Sequence, residues 1–290
     1  MISESTTTTR LVYEDHEQVM SLFQQRPRQH IHLDWKGLAA WLSDPSLHCW
    51  IRRENGRVES LIGATVYLPP AGQGEGVAWL RLILPATPIG FDPSLETVWQ
   101  ALCQDLSEAG VKEVALLELD PWIAGLGVRW GFKRANAIVT MRREGGHIPA
   151  PPKPPLRIRD ASLSDLDRAV EVDAAAFEPI WRYDLATLEA AYPHAATFTL
   201  LEREGELLGY QLSTRHGHIG HLTRLAIIPQ AQGQGLGGLL VGEMFRYFAG
   251  LGITTLTVNT QEDNYRSQRL YRRLGFEFIG SSVPVWTLRL

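Results

Sequence analysis

The chain contains the stretch Gln232-Gly233-Gln234-Gly235-Leu236-Gly237-Gly238, a glycine-rich segment between a strand-like run, His221–Ile228, and a helical pattern, Leu236–Leu251. Glycine lets the backbone approach a bulky anion closely, and the amide N–H groups at a helix start converge on such an anion. The stretch therefore predicts a phosphate-binding turn between a strand and a helix. A glycine-rich turn without a ligand has the same composition and stays open as an alternative.

The same residues satisfy the G-x-G-x-x-G spacing of a dinucleotide-binding turn through Gly233, Gly235 and Gly238. That turn follows the first strand of its unit, and an acidic residue ends the next strand. Here several elements precede the turn, and the next strand ends in Val258-Asn259-Thr260. The context argues against a dinucleotide site, although a nucleotide-binding module remains an alternative.

A second stretch lies downstream and predicts a helix with an asparagine N-cap and a glycine at its C-terminal end: Asn264-Tyr265-Arg266-Ser267-Gln268-Arg269-Leu270-Tyr271-Arg272-Arg273-Leu274-Gly275-Phe276. Together the two stretches resemble GNAT acyltransferases. Gln232-x-x-Gly235-x-Gly237 is similar to the family's Q/R-x-x-G-x-G/A pyrophosphate loop, and Asn264, Ser267, Tyr271 and Leu274-Gly275-Phe276 are similar to its closing segment.

The resemblance implies an α/β (mixed α+β) fold with a mixed central sheet flanked by helices. It also implies transfer of an acetyl or other acyl group from acetyl-CoA to an amine of a small molecule or protein. The amine would attack directly in a ternary complex, without a covalent intermediate or a metal. The coenzyme-binding residues it implies are the backbone of Leu225, Ala226 and Ile227, the loop Gln232, Gly233, Gln234, Gly235, Leu236, Gly237 and Gly238, and the helix residues Asn264 and Ser267.

Two residues are candidates for the proton transfers. Tyr271 stands where the family usually has its tyrosine acid, and a phenol with a reference pKa near 10 is protonated at neutral pH. His221 stands near the family's catalytic glutamate, and a reference pKa of about 6.5 suits a base. A core aromatic and a structural histidine are the alternatives. Strand alternation predicts His221 on the face opposite His216 and His218, which argues against a metal site. The aromatic segment 177–184 could line an acceptor pocket or pack between helices.

The two halves of the chain resemble each other. A helical stretch, Leu95–Ala109, leads into Gly110-Val111 and later Trp130-Gly131-Phe132, as Leu236–Leu251 leads into Gly252-Ile253 and later Leu274-Gly275-Phe276. Five prolines between positions 149 and 155 predict a linker. We therefore expect a tandem repeat, similar to the arrangement of mycothiol synthase, with domains 1–145 and 156–290 joined by linker 146–155. Two unrelated αβ units are the alternative.

The first half departs from the family at the place of the glycine loop. Between the strand Ala78–Leu84 and the helix Leu95–Ala109 lies Pro85-Ala86-Thr87-Pro88-Ile89-Gly90-Phe91-Asp92-Pro93. Three prolines remove amide donors, and the carboxylate of Asp92 would repel a phosphate. We expect domain 1–145 to be degenerate and domain 156–290 to be the catalytic one.

Composition limits the other function classes. A formal charge of −4 without a basic run argues against nucleic acid as a partner. The sequence contains no run of about 18 apolar residues, so no membrane span is predicted. The polar, threonine-rich residues 1–10 lack a secretion signal, so a cytoplasmic protein is expected. Cys49 and Cys103 have no zinc-ligand spacing. A non-catalytic acyl-CoA-binding sensor is the alternative function.

Overall fold

The computed structural model describes residues 5–70 and 74–290 of the chain, which folds into two compact units. Unit 1 comprises Met1–Ala135 with Pro284–Leu290, and unit 2 comprises Asn136–Val283. The first residues of the predicted domain 1–145, Met1 to Glu4, lie outside the described residues. The division into 1–145, 146–155 and 156–290 follows the sequence repeat and stays a prediction about the repeat; the compact units are bounded differently.

Apart from β2, each half of the chain contains the same series of α-helices and strands. In the first half these are β1 (Thr6–Arg10), α1 (His16–Gln25), β2 (His30–Ile31), α2 (Leu38–Leu42), β3 (Leu47–Glu54), β4 (Arg57–Tyr67), β5 (Gly76–Leu84), α3 (Ser94–Glu108), β6 (Val111–Leu117), α4 (Pro121–Arg129) and β7 (Lys133–Glu144). In the second half they are β8 (Leu156–Asp160), α5 (Leu166–Ala176), α6 (Leu185–Ala191), β9 (Thr197–Arg203), β10 (Glu206–His216), β11 (Ile219–Ile227), α7 (Leu236–Gly250), β12 (Thr255–Gln261), α8 (Tyr265–Arg273) and β13 (Glu277–Arg289).

The repeat extends to the lengths of individual elements. Strands β4 and β10 have 11 residues each, helices α3 and α7 have 15, strands β6 and β12 have 7, and helices α4 and α8 have 9. Both halves also have a β-bulge at the same place: Arg81 is the extra residue of β5 opposite β4, and Thr223 is the extra residue of β11 opposite β10. Two unrelated αβ units would not share these details, so the tandem prediction is confirmed.

Each unit is built on a mixed sheet. Unit 1 has the strand order β1-β3-β4-β5-β6 and unit 2 the order β8-β9-β10-β11-β12. Only β5/β6 and β11/β12 are parallel in these series, because α3 and α7 cross over between them. The predicted mixed α/β fold with helices flanking a central sheet is confirmed.

Each unit is completed by a strand from the other half of the sequence. In unit 1, Val285–Arg289 of β13 pairs antiparallel with β6. In unit 2, residues 138–144 of β7 pair antiparallel with β12. The unit boundaries therefore differ from the predicted domain boundaries. A helix-strand pattern along the sequence predicts that a strand exists, but it does not tell which neighbour the strand pairs with.

The residues predicted as a linker begin as part of unit 2. The buried guanidinium of Arg143 donates to the carbonyl oxygens of Gly145, Leu274 and His147. Pro149 lies against Gly242 of α7, and its carbonyl accepts a 2.7 Å hydrogen bond from Arg246. Proline removes backbone donors from this stretch, and arginine side chains supply donors to its carbonyls.

Helix α7 packs an apolar face on strands β9, β10 and β11 of unit 2. Leu240, Val241, Met244, Phe245 and Phe248 are among its buried residues. Tyr247, near the C-terminal end of the helix, is 41% exposed.

Candidate active site

The glycine loop of unit 2 connects β11 to α7. Gly233 and Gly235 have φ values of 83° and 80°, a backbone conformation that glycine adopts readily and other residues rarely do. Gly235 is the N-cap of α7 and provides no side chain to cap the helix. A methyl group placed on Gly235 would meet no atom within 4 Å, so the space in front of the helix is open.

The backbone amides at the start of α7 are available to a ligand. Within residues 5–70 and 74–290, no protein oxygen accepts a hydrogen bond from the backbone nitrogens of Gly233, Gln234, Gly235, Leu236 or Gly237. The first bonded amide is that of Gly238, 3.0 Å from the oxygen of Gly235. Such donors at a helix N-terminus carry the positive end of the helix dipole. The arrangement can bind an anionic group such as a phosphate.

Two arginines beside this loop were not identified from the sequence. Arg203, at the β9–β10 turn, donates to Gln234 Oε1 at 2.8 Å, and Arg266 of α8 donates to Gln232 Oε1. Among the described residues, no carboxylate forms an ion pair with either guanidinium. Their positive charges are therefore available to balance the negative charges of a bound phosphate. Arg266 lies within the second quoted stretch and could have been named from it, whereas only the fold brings Arg203 to the loop.

The end of strand β11 has one open edge. Residues 219–222 pair with β12, but beyond the bulge at Thr223 the strand pairs only with β10, because β12 continues along β7. Leu225, Ala226 and Ile227 lie on this diverging part, and Gln232 Nε2 donates to the oxygen of Ile227 at 2.8 Å. An extended ligand can add to such an edge through backbone hydrogen bonds.

The start of α7 packs against α8 at the end of β11. A methyl group on Gly237 would lie 3.1 Å from Leu270 Cδ2 and 3.6 Å from Leu225 Cδ2. The lack of a side chain at Gly237 therefore allows α7 to approach α8 closely. Three of the predicted segments, the loop, the end of β11 and α8, are brought together here.

Helix α8 begins and ends as predicted. Asn264 is its N-cap and accepts a 3.1 Å hydrogen bond from the amide of Ser267, and Gly275 follows the helix with φ of 85°. The side chain of Asn264 thus has a structural role in capping the helix. Tyr271 is 5% exposed and packs on Phe276. Burial raises the pKa of Tyr271 well above its usual value, and the charge of Arg224 opposes this by a smaller amount.

His221 is held on β11 by its neighbour on β12. Its Nδ1 lies 2.8 Å from Thr257 Oγ1. Burial, together with a smaller effect of the nearby His216, lowers the pKa of His221 to about 4. The ring is therefore neutral at pH 7. If the Thr257 hydroxyl donates to the oxygen of Gly220, 3.5 Å away, Nδ1 carries the proton and Nε2 keeps a free lone pair.

The predicted separation of the histidines is wrong for His216. Thr214 pairs with His221 and His216 with Ile219, so His216 and His221 project from the same face of the β10–β11 hairpin. Alternation holds along one strand but not across a turn. The described residues contain no group of three or more His, Cys, Asp or Glu side chains placed to hold a metal ion.

The aromatic segment 177–184 packs around a buried arginine. Arg224 donates to both carboxylate oxygens of Asp173 at 2.7 and 2.6 Å and to the oxygen of Trp181 at 2.7 Å. The rings of Phe177 and Tyr183 lie 3.6 and 4.1 Å from its guanidinium carbon. These contacts fasten the segment to β11. Arg224 was not singled out from the sequence, since a strand arginine next to apolar residues usually lies on the surface.

Comparison with known proteins identifies the domain that contains this site. Residues 166–276 match the model of the acetyltransferase (GNAT) family. Unit 2 contains a GNAT domain. The match begins at α5 and ends after α8, so it includes the glycine loop, the diverging end of β11 and Tyr271 of this GNAT domain.

Relatives and solved structures resemble the chain beyond this domain. A mycothiol acetyltransferase from Frankia alni is 30% identical over 180 residues, which cover 54% of this chain and 54% of that protein. The chain thus spans about half the length of the curated relatives it matches. A tandem GNAT protein from the clavulanic acid biosynthesis pathway has a TM-score of 0.62 at 16% identity, with 98% of each chain covered. A GCN5-related N-acetyltransferase from Kribbella flavida has a TM-score of 0.69 at 12% identity, covering 100% of this chain and 72% of that one.

The two solved structures show a likeness of the fold alone, and the likeness to the first of them extends over 98% of both chains. No helix in the described part of the chain has the length and apolar character needed to cross a membrane.

Proposed function

We propose that unit 2 transfers an acetyl or other acyl group from acetyl-CoA to an amine. The single observation that carries this proposal is the set of unbonded amides from Gly233 to Gly237 at the start of α7 in a GNAT domain. These donors would hold the coenzyme diphosphate, and Arg203 and Arg266 would balance its charge. The open edge of β11 at Leu225, Ala226 and Ile227 would pair with the pantetheine arm, and an amide there would polarise the thioester carbonyl.

In the proposed chemical step, His221 and Tyr271 transfer the protons. The amine nitrogen attacks the thioester carbon, and the carbon–sulfur bond breaks to release the thiolate of coenzyme A. The ammonium form of the acceptor first loses a proton, for which the neutral ring of His221 is the candidate acceptor. Tyr271, which is protonated at neutral pH, donates a proton to the leaving thiolate. The second proton that the nitrogen loses as the amide forms returns to the phenolate of Tyr271. Asn264 and Ser267 organise the start of α8 below Tyr271.

The proposal is tested by incubating the full chain with acetyl-CoA and a panel of small-molecule amines and peptides, with release of free thiol as the readout. We expect thiol release that depends on one class of amine. Tyr271→Phe should lower kcat by about 10-fold or more while leaving the Kd for acetyl-CoA nearly unchanged, because phenylalanine keeps the packing on Phe276 and loses only the proton. An unchanged kcat would remove Tyr271 as the acid.

A matched pair of variants tests the loop. Gly235→Glu adds a carboxylate where the diphosphate would bind, whereas Gly235→Ala adds the same backbone strain at φ 80° without the charge. Binding of acetyl-CoA should be lost in the first and largely kept in the second. Tight binding with no turnover of any amine would favour the non-catalytic sensor.

The acceptor that we propose is an amine, without a more specific identity. The curated relatives are named mycothiol acetyltransferases, and the chain spans about half their length. The segment 177–184 borders the proposed acceptor side through Arg224, whose guanidinium is occupied by Asp173 and Trp181. Arg224 is also close enough to Tyr271 to lower its pKa, so the aromatic cluster around Arg224 would line the acceptor side near Tyr271.

A further inference from the structure

Unit 1 has the same diverging strand pair as the GNAT domain of unit 2. Strand β5 pairs with β4 along its length, but with β6 only at residues 76–79. The bulges at Arg81 and Thr223 align the two halves, so Leu82 and Ile83 correspond to Arg224 and Leu225. Past its bulge, β5 would therefore have the open edge that β11 offers to the pantetheine arm in unit 2.

In unit 1 this edge is occupied by the chain itself. The two-residue strand β2 pairs antiparallel with it, His30 opposite Ile83 and Ile31 opposite Leu82. The amide of His32 continues the pairing with a 2.8 Å hydrogen bond to the oxygen of Arg81. His30 is 2% exposed, so this segment lies inside the unit. In the second half, where residues 177–184 between α5 and α6 are described, no strand lies at the matching position.

The start of α3 is occupied as well. The carboxylate of Asp92, 4% exposed, accepts hydrogen bonds from the amide of Ala86 and, at 2.9 Å, from the amide of Ser94, the first residue of α3. Asp92 stands two residues before its helix, as Gln234 stands two residues before α7. A carboxylate at a helix N-terminus makes the interactions that a phosphate oxygen would make.

The arginines near this loop also have partners in the loop or in the adjacent strand β4. Arg26 donates to the oxygens of Glu59 and Pro85, and Arg28 donates to the oxygen of Gly90. In unit 2 the partners of the two arginines at the loop, among the described residues, are neutral glutamines. In unit 1, therefore, β2 pairs with the edge of β5, and the Asp92 carboxylate accepts a hydrogen bond from the first amide of α3.

We propose that unit 1 contains a coenzyme groove whose ligand is the chain itself, with His30–His32 in place of the pantetheine arm and the Asp92 carboxylate in place of the diphosphate. The full chain then binds one acetyl-CoA, in unit 2; the location of that molecule rests on the function proposed above. Unit 1 is therefore a copy of the domain in which segments of the chain permanently occupy the coenzyme groove.

Calorimetry of the full chain with acetyl-CoA tests the stoichiometry. Pro93 is the N-cap of α3, exposed and in a helical conformation, and it matches Gly235 in position. Pro93→Glu is therefore the control for Gly235→Glu. We expect one molecule bound per chain, unaffected by Pro93→Glu and abolished by Gly235→Glu. Two molecules per chain, or loss of binding in Pro93→Glu with an unchanged circular dichroism spectrum, would overturn the inference.

Hydrogen exchange on the same samples separates this inference from the proposed function. The amides of His32 and Ser94 should exchange slowly in the free protein and equally slowly with acetyl-CoA, while amides 233–237 become protected only with acetyl-CoA. Absence of any binding would contradict the proposed function, yet slow exchange at His32 and Ser94 would still support a filled groove. Fast exchange at these two amides in the free chain, or new protection there with acetyl-CoA, would overturn it.

Discussion

The charges around the glycine loop set its preference for ligands at the scale of single residues. Arg203 and Arg266 are oriented by the side-chain oxygens of Gln234 and Gln232 and have no carboxylate partner among the described residues. An arginine held in place by a neutral group keeps its full charge for a phosphate and loses little side-chain entropy on binding it. These two residues are therefore expected to contribute to coenzyme affinity rather than to stability.

Arg203→Gln and Arg266→Gln should each raise the Kd for acetyl-CoA by about 3- to 10-fold, the effect of losing one solvent-exposed charge-assisted hydrogen bond. The loss should shrink at high salt, because exposed charges are screened. Calorimetry at two ionic strengths measures both effects. Arg269→Gln, which removes the same charge from an exposed position of α8, is the control and should leave the Kd unchanged. Equal losses in all three variants would mean that only net charge matters.

The pH dependence of the reaction depends on His221. Because burial lowers the pKa of His221 to about 4, its ring is neutral above about pH 5, and this contribution to the rate is lost only as the pH falls through about 4. We therefore expect kcat between pH 5.5 and 8 to show no inflection from His221. His221→Ala should lower kcat by a similar factor across that range. An inflection near pH 6.5 in the wild type that disappears in the variant would contradict this expectation.

At the scale of elements, the loop, the end of β11 and α8 form one site because their backbones approach closely. Gly237 and Gly238 are adjacent on the first turn of α7 but have different surroundings. A methyl group would lie 3.1 Å from Leu270 on Gly237 and 3.8 Å from it on Gly238. Only the first position requires the absence of a side chain, although both belong to the same sequence motif.

Gly238→Ala should raise the free energy of unfolding by about 0.5–1 kcal/mol, the usual gain from replacing a helical glycine, and leave acetyl-CoA affinity unchanged. Gly237→Ala should lack this gain, because Leu270 must move by a few tenths of an ångström, and it should weaken acetyl-CoA binding. Urea denaturation and calorimetry of the two variants measure the difference. The pair compares the same substitution one residue apart. Equal stabilisation in both variants would show that Leu270 of α8 moves aside without a cost in free energy.

The sequence predicted this site unevenly, and the reason is physical. The glycine loop, the Asn264 cap and the Gly275 turn depend on backbone conformations that few residue types can adopt, so they can be recognised locally. Arg203 and Arg224 act through neighbours that only the fold brings near them. The face on which His216 lies was predicted wrongly because alternation was carried across a hairpin turn. The roles of Tyr271 and His221 stay predictions.

At the scale of the whole molecule, the final strands of the two halves complete each other's units. Trp286 and Leu288 of β13 pack against the buried core of unit 1, and Trp286 Nε1 donates to Glu118 at 2.8 Å. The repeat and its elements were predictable, because hydrophobic periodicity and turn residues are local. The pairing of β13 with β6 was not, since it joins residues from opposite ends of the sequence.

Removal of residues 284–290 should destabilise unit 1 and leave coenzyme binding by unit 2 in place. The truncation exposes the edge of β6 and removes the buried side chain of Val285 together with Trp286. Hydrogen exchange should show lost protection in β6, while calorimetry still shows acetyl-CoA binding. Arg289→Ala removes only an exposed ion pair with Glu75 and should change stability little. Unchanged protection of β6 after truncation would contradict the strand assignment.

The exchanged strands also impose an order on biosynthesis. As the polypeptide leaves the ribosome, most of unit 1 emerges early, but its sheet cannot close until residues 284–290 have been translated. The edge of β6 therefore stays unpaired while unit 2 is being synthesised. An unpaired strand edge is a site for aggregation and chaperone binding. A premature stop codon anywhere in the second half would therefore yield a chain in which the edge of β6 permanently lacks its partner strand.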